Sequence, residues 1–439
     1  MTYEYLCNIL IIKTEKVTIL NNTEAYARRL ETKLRNKAKH SEMRVLTFAL
    51  KIQVNKLSAK TLNRLFMCFV EAKWLRNYII NFLETHNLKE FDRKTVNISH
   101  KDKDGNDVEV VLENLSSQMR TAVIDWIKDD LNKLHAKKIK GQKVGRLKYT
   151  SAVNSIPLTQ YRNTFKFNDD FTKLSVQCFG QKIRIKGGEQ LRNLKGDFDI
   201  QCAKLIRNAE GYFLHVTVYA EKEEIETVSD EIGIDFGVKD FLTFSNGEKV
   251  PSAITGKQAE ILERIKTVQR SLSRKVKRSK NWFKTKFKLD KLYQKLKNIK
   301  EDISNKLVHA LKNRKNVVIQ DEQIHSWFKR FGKKLQHGIL GRVKTKLSRL
   351  ENCHVISKWL PTTQLCPKCF SVHKMPLNVR TYNCECGYSR DRDVHAANNM
   401  LLMFHLIYED CTPEELRGVP ADRLNDFKAK WALNPRSAS

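Results

Sequence analysis

The sequence predicts a multidomain α+β protein: a helical part, then a small β-barrel or sandwich, then a further domain of strands and helices that carries four clustered cysteines. Three observations predict it. Long stretches with helical apolar spacing precede residue 150, and short alternating strands crowd residues 163–220. After residue 231, apolar strands alternate with helices until four cysteines fall within one short stretch. The chain has 439 residues, enough for several compact modules.

Residues 1–43 are polar and basic with no sustained period and form an extension of open structure. In 44–149, Arg44 to Val54 alternates like a strand and Thr61 to Leu88 has the spacing of a long helix. Val96 to Ser99 and Val108 to Leu112 then flank a turn at Asp104-Gly105, where glycine supplies the positive φ of a tight hairpin. Met119, Val123, Trp126, Ile127, Leu131 and Leu134 mark one face of a second long helix. Within 150–230 the pairs Phe165/Phe167, Leu174/Val176 and Ile183/Ile185 and the run Tyr212 to Tyr219 alternate as short strands of a barrel or sandwich. The acidic stretch Glu221 to Asp230 reads as a linker. Ile232-Gly233-Ile234-Asp235 is then an apolar strand ending in a carboxylate, and Phe241 to Phe244 with the Asn246-Gly247 turn opens a hairpin.

Lys and Arg total 81 against 49 Asp and Glu, a formal charge of +32 that implies a polyanionic partner. The apolar runs Leu6 to Ile12 and Leu401 to Tyr408 are too short to span a bilayer, so nucleic acid is favoured over a membrane. Met1 to Lys13 has no basic-led secretion signal, and a cytoplasmic location is expected. Between Lys257 and Lys300, sixteen basic residues face only Glu260, Glu263 and Asp290, while Ile261, Ile265, Leu292 and Leu296 keep helical spacing. This is a basic helical hairpin. A lysine run alone is usually a solvated face, but Trp282, Phe283 and Phe287 among these lysines suit base stacking beside phosphate contact.

Val317 to Gln320 is a further strand running into Asp321 and Glu322, Val355 to Leu360 another, and Asp391-Arg392-Asp393 heads the apolar helix Ala396 to Ile407. Taken singly, Asp235 is a turn residue, Glu322 a surface charge and Asp393 an N-cap. Taken together, acids brought to one place repel unless a cation sits between them, and hard oxygen ligands suit Mg²⁺. Two such ions about 4 Å apart can activate water and stabilise the leaving oxygen in phosphodiester cleavage. Cys366-Pro-Lys-Cys369 and Cys384-Glu-Cys386-Gly387 offer four thiolates for a structural Zn²⁺. The second pair is one residue short of the usual spacing, leaving His373 as a substitute for one thiol.

Gly233-Ile-Asp235-Phe-Gly237-Val-Lys-Asp, the Glu322 segment, the paired cysteines and Asp391-Arg-Asp393-Val-His-Ala-Ala-Asn-Asn resemble, in that order, the nuclease domain of TnpB proteins. These are transposon-encoded RNA-guided nucleases, similar to the miniature type V CRISPR effectors. The resemblance implies a helical recognition domain (44–149), a wedge-like β-barrel (150–230), an RNase H-like RuvC α/β nuclease domain (231–365 and 389–410), an inserted zinc ribbon (366–388) and a tail (411–439). It implies Asp235, Glu322 and Asp393 as first, second and third acid for two Mg²⁺ ions. It also implies a guide RNA with a structured scaffold and double-stranded target DNA cut beside a short flanking motif, in a prokaryotic cytoplasm and at the nucleoid when DNA-bound. Three departures stand out: Gln323-Ile324 follows Glu322 where the family has Asp-Leu, His395 replaces a common Asn, and the second cysteine pair is shortened. The competing readings are a guided DNA-binding protein without cleavage and a zinc-ribbon RNA-binding or assembly protein. Oligomeric state stays open.

Overall fold

The computed structural model describes residues 31–408 apart from 33, 102–104, 223–227, 252–255, 336–337 and 377. Most of the N-terminal extension, Asp104 of the expected hairpin turn, half of the expected linker and the tail lie outside the described residues. The chain divides into two compact units, 1–223 and 224–439.

In the first unit, β1 (Arg44–Ile52) leads into α1 (Ala59–Phe82), the hairpin β2 (Asn97–Lys101) and β3 (Asp107–Val111), and α2 (Ser117–Ile139). There follow β4 (Ser155–Leu158), β5 (Phe165–Phe167), β6 (Lys173–Val176), β7 (Ile183–Lys186), the short α3 (Glu189–Arg192), β8 (Phe198–Asn208) and β9 (Gly211–Ala220). Both long helices start at serine caps: Ser58 Oγ accepts from Thr61 N at 3.2 Å and Ser116 Oγ from Met119 N at 3.3 Å. Seven strands form one antiparallel sheet in the order β4-β8-β9-β1-β7-β6-β5, a nearly closed barrel. The strand expected beside the helices, β1, is thus central to the sheet, pairing with β9 and β7. The reason lies in packing. Leu50 and Ile52 of β1 share one continuous core with Leu65, Phe69 and Leu75 of α1, Met119 and Ile127 of α2, and Leu214 and Val216 of β9.

The second unit contains β10 (Val228–Phe236), β11 (Asp240–Phe244), β12 (Lys249–Pro251), α4 (Lys257–Ser273), α5 (Lys280–Leu311), β13 (Arg314–Gln320), α6 (Ile324–Leu335), α7 (Leu340–Leu347) and β14 (Cys353–Ile356). The hairpin β15 (Thr381–Asn383) and β16 (Ser389–Asp391) then precedes α8 (Arg392–Tyr408). The main sheet runs β12-β11-β10-β13-β14, with β10, β13 and β14 parallel and β11 and β12 antiparallel. Both faces are covered, which is why β13 reads as a continuous apolar run. Val317 and Ile319 face a core shared with Leu340, Val343 and Leu347 of α7, whereas Val318 faces Met400, Met403 and Phe404 of α8. The basic hairpin α4/α5 has a small core of its own from Ile261, Ile265, Leu289 and Leu296. The carboxyl ends of the three parallel strands share one edge, the place where open α/β sheets build ligand sites.

Candidate active site and metal centre

The period of two along β10 puts Gly233 and Asp235 on the face covered by α8. A Cβ on Gly233 would stand 1.9 Å from the Ala397 carbonyl oxygen, so this close approach needs glycine. Ala396 and Ala397 are fully buried there. The same corner is tied by polar bonds: Gly233 N donates to Ser245 Oγ at 3.1 Å, and Asn398 Nδ2 donates to the Ser245 carbonyl at 2.9 Å. The first turn of α8 is therefore seated over the end of β10, and Asp393 comes beside Asp235. Burial pushes the Asp235 carboxyl well above the usual carboxylate range, and the charges of Asp393 and Glu322 push it further, with Arg392 opposing.

Glu322 follows β13. Burial raises its carboxyl and Asp321 adds to the rise, against Lys344 and Lys358. Asp321 itself is exposed and paired with Lys344 at 2.8 Å, and Lys344 Nζ also donates to the Glu322 carbonyl at 2.7 Å. Asp391 is similarly engaged. Its Oδ1 accepts from Asp393 N and Val394 N, both at 3.1 Å, and Lys249 Nζ stands 3.1 Å away. The helix cap is thus Asp391 rather than Asp393, which sits inside the first turn of a helix that begins four residues earlier than its apolar run suggested. A groove of about 910 Å³ opens beside Glu322, lined among others by His325, Phe328, Lys329 and Lys344.

Sequence reasoning missed the buried amides that assemble this edge. Gln320 Nε2 donates to the carbonyls of Ser357 and Leu360 at 3.0 and 2.9 Å, and its Oε1 accepts from Thr362 Oγ1 at 3.0 Å. These bonds bend residues 357–362 out of line, so β14 ends at Ile356 and not at Leu360 as its apolar pattern implied. Asn399 Nδ2 donates to the carbonyls of Thr362 and Leu365, both at 2.8 Å. The available signal was an amide closing an apolar strand and two amides within an apolar helical stripe.

The sulfur atoms of Cys366, Cys369, Cys384 and Cys386 all lie within 4.8 Å of one another. Cys366 to Cys386 and Cys369 to Cys384 are each 3.5 Å. Four thiolates about 2.3 Å from one zinc stand about 3.8 Å apart, so this donor set fits a tetrahedral ion. The shortened second pair closes through a tight turn, with Gly387 at φ 83 and its N–H donating to the Cys384 carbonyl at 2.9 Å. His373 is not among the four mutually clustered ligands, although its Nε2 stands 3.7 Å from Cys384 Sγ. Its Nε2 is 2.8 Å from Ser371 Oγ, which in turn is 2.9 Å from Cys369 Sγ. Buried His395 stacks on Tyr382 of the ribbon hairpin with centroids 4.0 Å apart, and its Nε2 lies 3.1 Å from Asn399 Nδ2. Burial, aided by Arg390, lowers its pKa to about 4, so a neutral ring joins ribbon to helix.

The three acids are set wider than the cysteines. Among the described residues, only the four cysteines bring three or more metal-ligand side chains within 4.8 Å. On α5, Phe283 and Phe287 are exposed among the lysines, and Lys291 Nζ lies 4.5 Å from the Phe287 centroid.

Residues 215–324 match the family described as "Probable transposase", and residues 342–400 match "Cas12f1-like, TNB domain". A "Putative RNA-guided DNA endonuclease" from Streptomyces pristinaespiralis is 34% identical over 181 residues, 39% of this chain and 44% of that protein. A "Putative RNA-guided DNA endonuclease InsQ" from Escherichia coli (strain K12) is 26% identical over 220 residues, 44% of this chain and 54% of that protein. The chain thus spans about half the length of the curated relatives it matches. A solved structure titled "Cryo-EM structure of the Cas12f1-sgRNA-target DNA complex" aligns over 78% of this chain and 82% of its own, at 13% identity and a TM-score of 0.42. The matched segments hold the Asp235 strand, Glu322, the four cysteines and Asp393, so the similarity to these two families falls on the stretches that carry the candidate acids and thiols.

Proposed function

We propose that the protein is an RNA-guided DNA endonuclease that cuts double-stranded DNA beside a short flanking motif, using Asp235, Glu322 and Asp393. The observation that carries this reading is the meeting of three acids from the end of β10, the end of β13 and the first turn of α8 at one sheet edge. The sheet, three antiparallel strands continued by two parallel ones, supports an RNase H-like (RuvC) domain. Acids that repel one another at a half-open edge fit divalent cations, and a pair of ions is the arrangement that phosphodiester cleavage of this kind uses. When bound, Mg²⁺ would supply charge stabilisation and an activated water for displacement at phosphorus. Asp235, Glu322 and Asp393 would hold it. Cys366, Cys369, Cys384 and Cys386 would hold a structural Zn²⁺, keeping the ribbon that packs on α8 in shape.

The excess of 32 positive charges and the aromatic-basic hairpin α4/α5 support a guide RNA and target DNA as partners. No described helix is long and apolar enough to cross a membrane. The test is cleavage of a DNA matched to the co-purified RNA. With Asp235→Ala, cutting in Mg²⁺ should fall by at least a hundredfold while RNA assembly and target binding persist. Cutting by Asp235→Ala at near the parental rate, or parental cutting in excess EDTA, would overturn the proposal.

A further inference from the structure

β13 and β14 run parallel with Gln320 opposite Ile356, and Asp321 N donates to the Ile356 carbonyl at 2.9 Å. The two chains therefore leave the sheet side by side. Glu322 follows one strand and Lys358 the other, each two residues beyond the Gln320–Ile356 pair, so both stand at the same sheet edge. The loop carrying Lys358 is held by the three bonds of the buried Gln320 amide, and Trp359 N donates to Ser357 Oγ at 3.3 Å. A rigid base thus carries an exposed pair. Lys358 Nζ lies 4.9 Å from the Trp359 ring centroid, and Trp359 is 51% exposed. An exposed aromatic face beside an ammonium matches the base and phosphate of one nucleotide.

We propose that Lys358 and Trp359 clamp the nucleotide beside the scissile phosphate of a single DNA strand, with Gln320 as the positioning residue that holds the clamp against Glu322. The proposal rests on the nuclease reading above. A single strand is specified because an indole can stack only on a base freed from its neighbour, and stacking of this kind accepts every base. Lys358 meets the phosphate charge next to the site where Glu322 acts, so the clamp aligns the backbone rather than selecting sequence.

The test uses the RNA-bound full chain and matched DNA under single-turnover conditions. Trp359→Ala should slow cleavage on the order of tenfold. Trp359→Phe should recover most of the rate, and Lys358→Ala should slow it comparably with recovery by Lys358→Arg. RNA assembly, target binding and melting temperature should be unchanged in all four. On matched DNA with an abasic nucleotide beside the cut, parental protein and Trp359→Ala should cleave alike, a result that a purely structural role for Trp359 would not give. Parental cleavage by Trp359→Ala overturns the clamp, as does a defect unaffected by the abasic nucleotide. Loss of RNA assembly in Trp359→Ala also overturns it, assigning the indole to guide RNA instead. Asp235→Ala, run in parallel, separates the two claims: if it is inactive while Trp359→Ala cuts normally, only the clamp fails; if it cuts, the nuclease reading itself fails.

Discussion

The two candidate metal centres of the second unit are built on opposite plans. The four cysteines lie within 21 residues of sequence, and two tight turns bring their sulfur atoms within 4.8 Å of one another. The three acids are spread from residue 235 to residue 393 and meet only because β10, β13 and α8 pack together. A soft, closed thiolate set can organise its own local fold. Hard carboxylates at an open edge cannot, since they repel and depend on distant packing to stay close. Removing zinc should therefore damage structure first, whereas disturbing the packing of α8 should damage the acid site first.

Cys369→Ser should have the largest effect on structure. Losing one of four thiolates should release zinc, measured as metal content of the purified protein, and open residues 366–388 to protease. Full zinc content and unchanged proteolysis in that variant would show that the four sulfurs do not act as one site. Gly233→Ala should come next. Its Cβ would press on the Ala397 carbonyl at 1.9 Å, so α8 must shift, at a cost of about 1–3 kcal/mol typical of overpacking. Matched-DNA cleavage should fall by at least tenfold while zinc content stays at the parental level, because the ribbon thiols take no part in that contact. Equal loss of zinc and cleavage would mean that the two centres are not independently organised.

The contrast also explains which features the sequence makes legible. The cysteine cluster is legible because ligand spacing is a local property, and Cys366, Cys369, Cys384 and Cys386 come together although the short second pair left His373 open as a substitute. The strand ends at Asp235 and Glu322 are legible from apolar runs stopping at a carboxylate. What escapes is carried by side chains whose partners lie far along the chain. Gln320 looks like a strand-end residue until its bonds to Ser357, Leu360 and Thr362 are seen. The central place of β1 in the barrel depends on pairing with β9, more than 160 residues away, and alternation alone does not name a partner strand. The reading of Asp393 as a mere N-cap fails for a short-range reason: the helix starts one turn early, and Asp391 occupies the capping place.

Asp391 and Asp393 give the most direct measurement of the central claim, because they lie two residues apart and differ in what they touch. Asp391 binds backbone N–H groups and Lys249, whereas Asp393 acts on Asp235. Asp391→Ala should cost about 1 kcal/mol of stability, as loss of a cap does, and still cut matched DNA. In Mg²⁺, Asp393→Ala should bind guide RNA and target normally and cleave at least a hundredfold more slowly than the parent. Cleavage by Asp393→Ala at near the parental rate, with Asp391→Ala inactive, would move the third ligand to Asp391; near-parental cleavage by both would contradict the three-acid site.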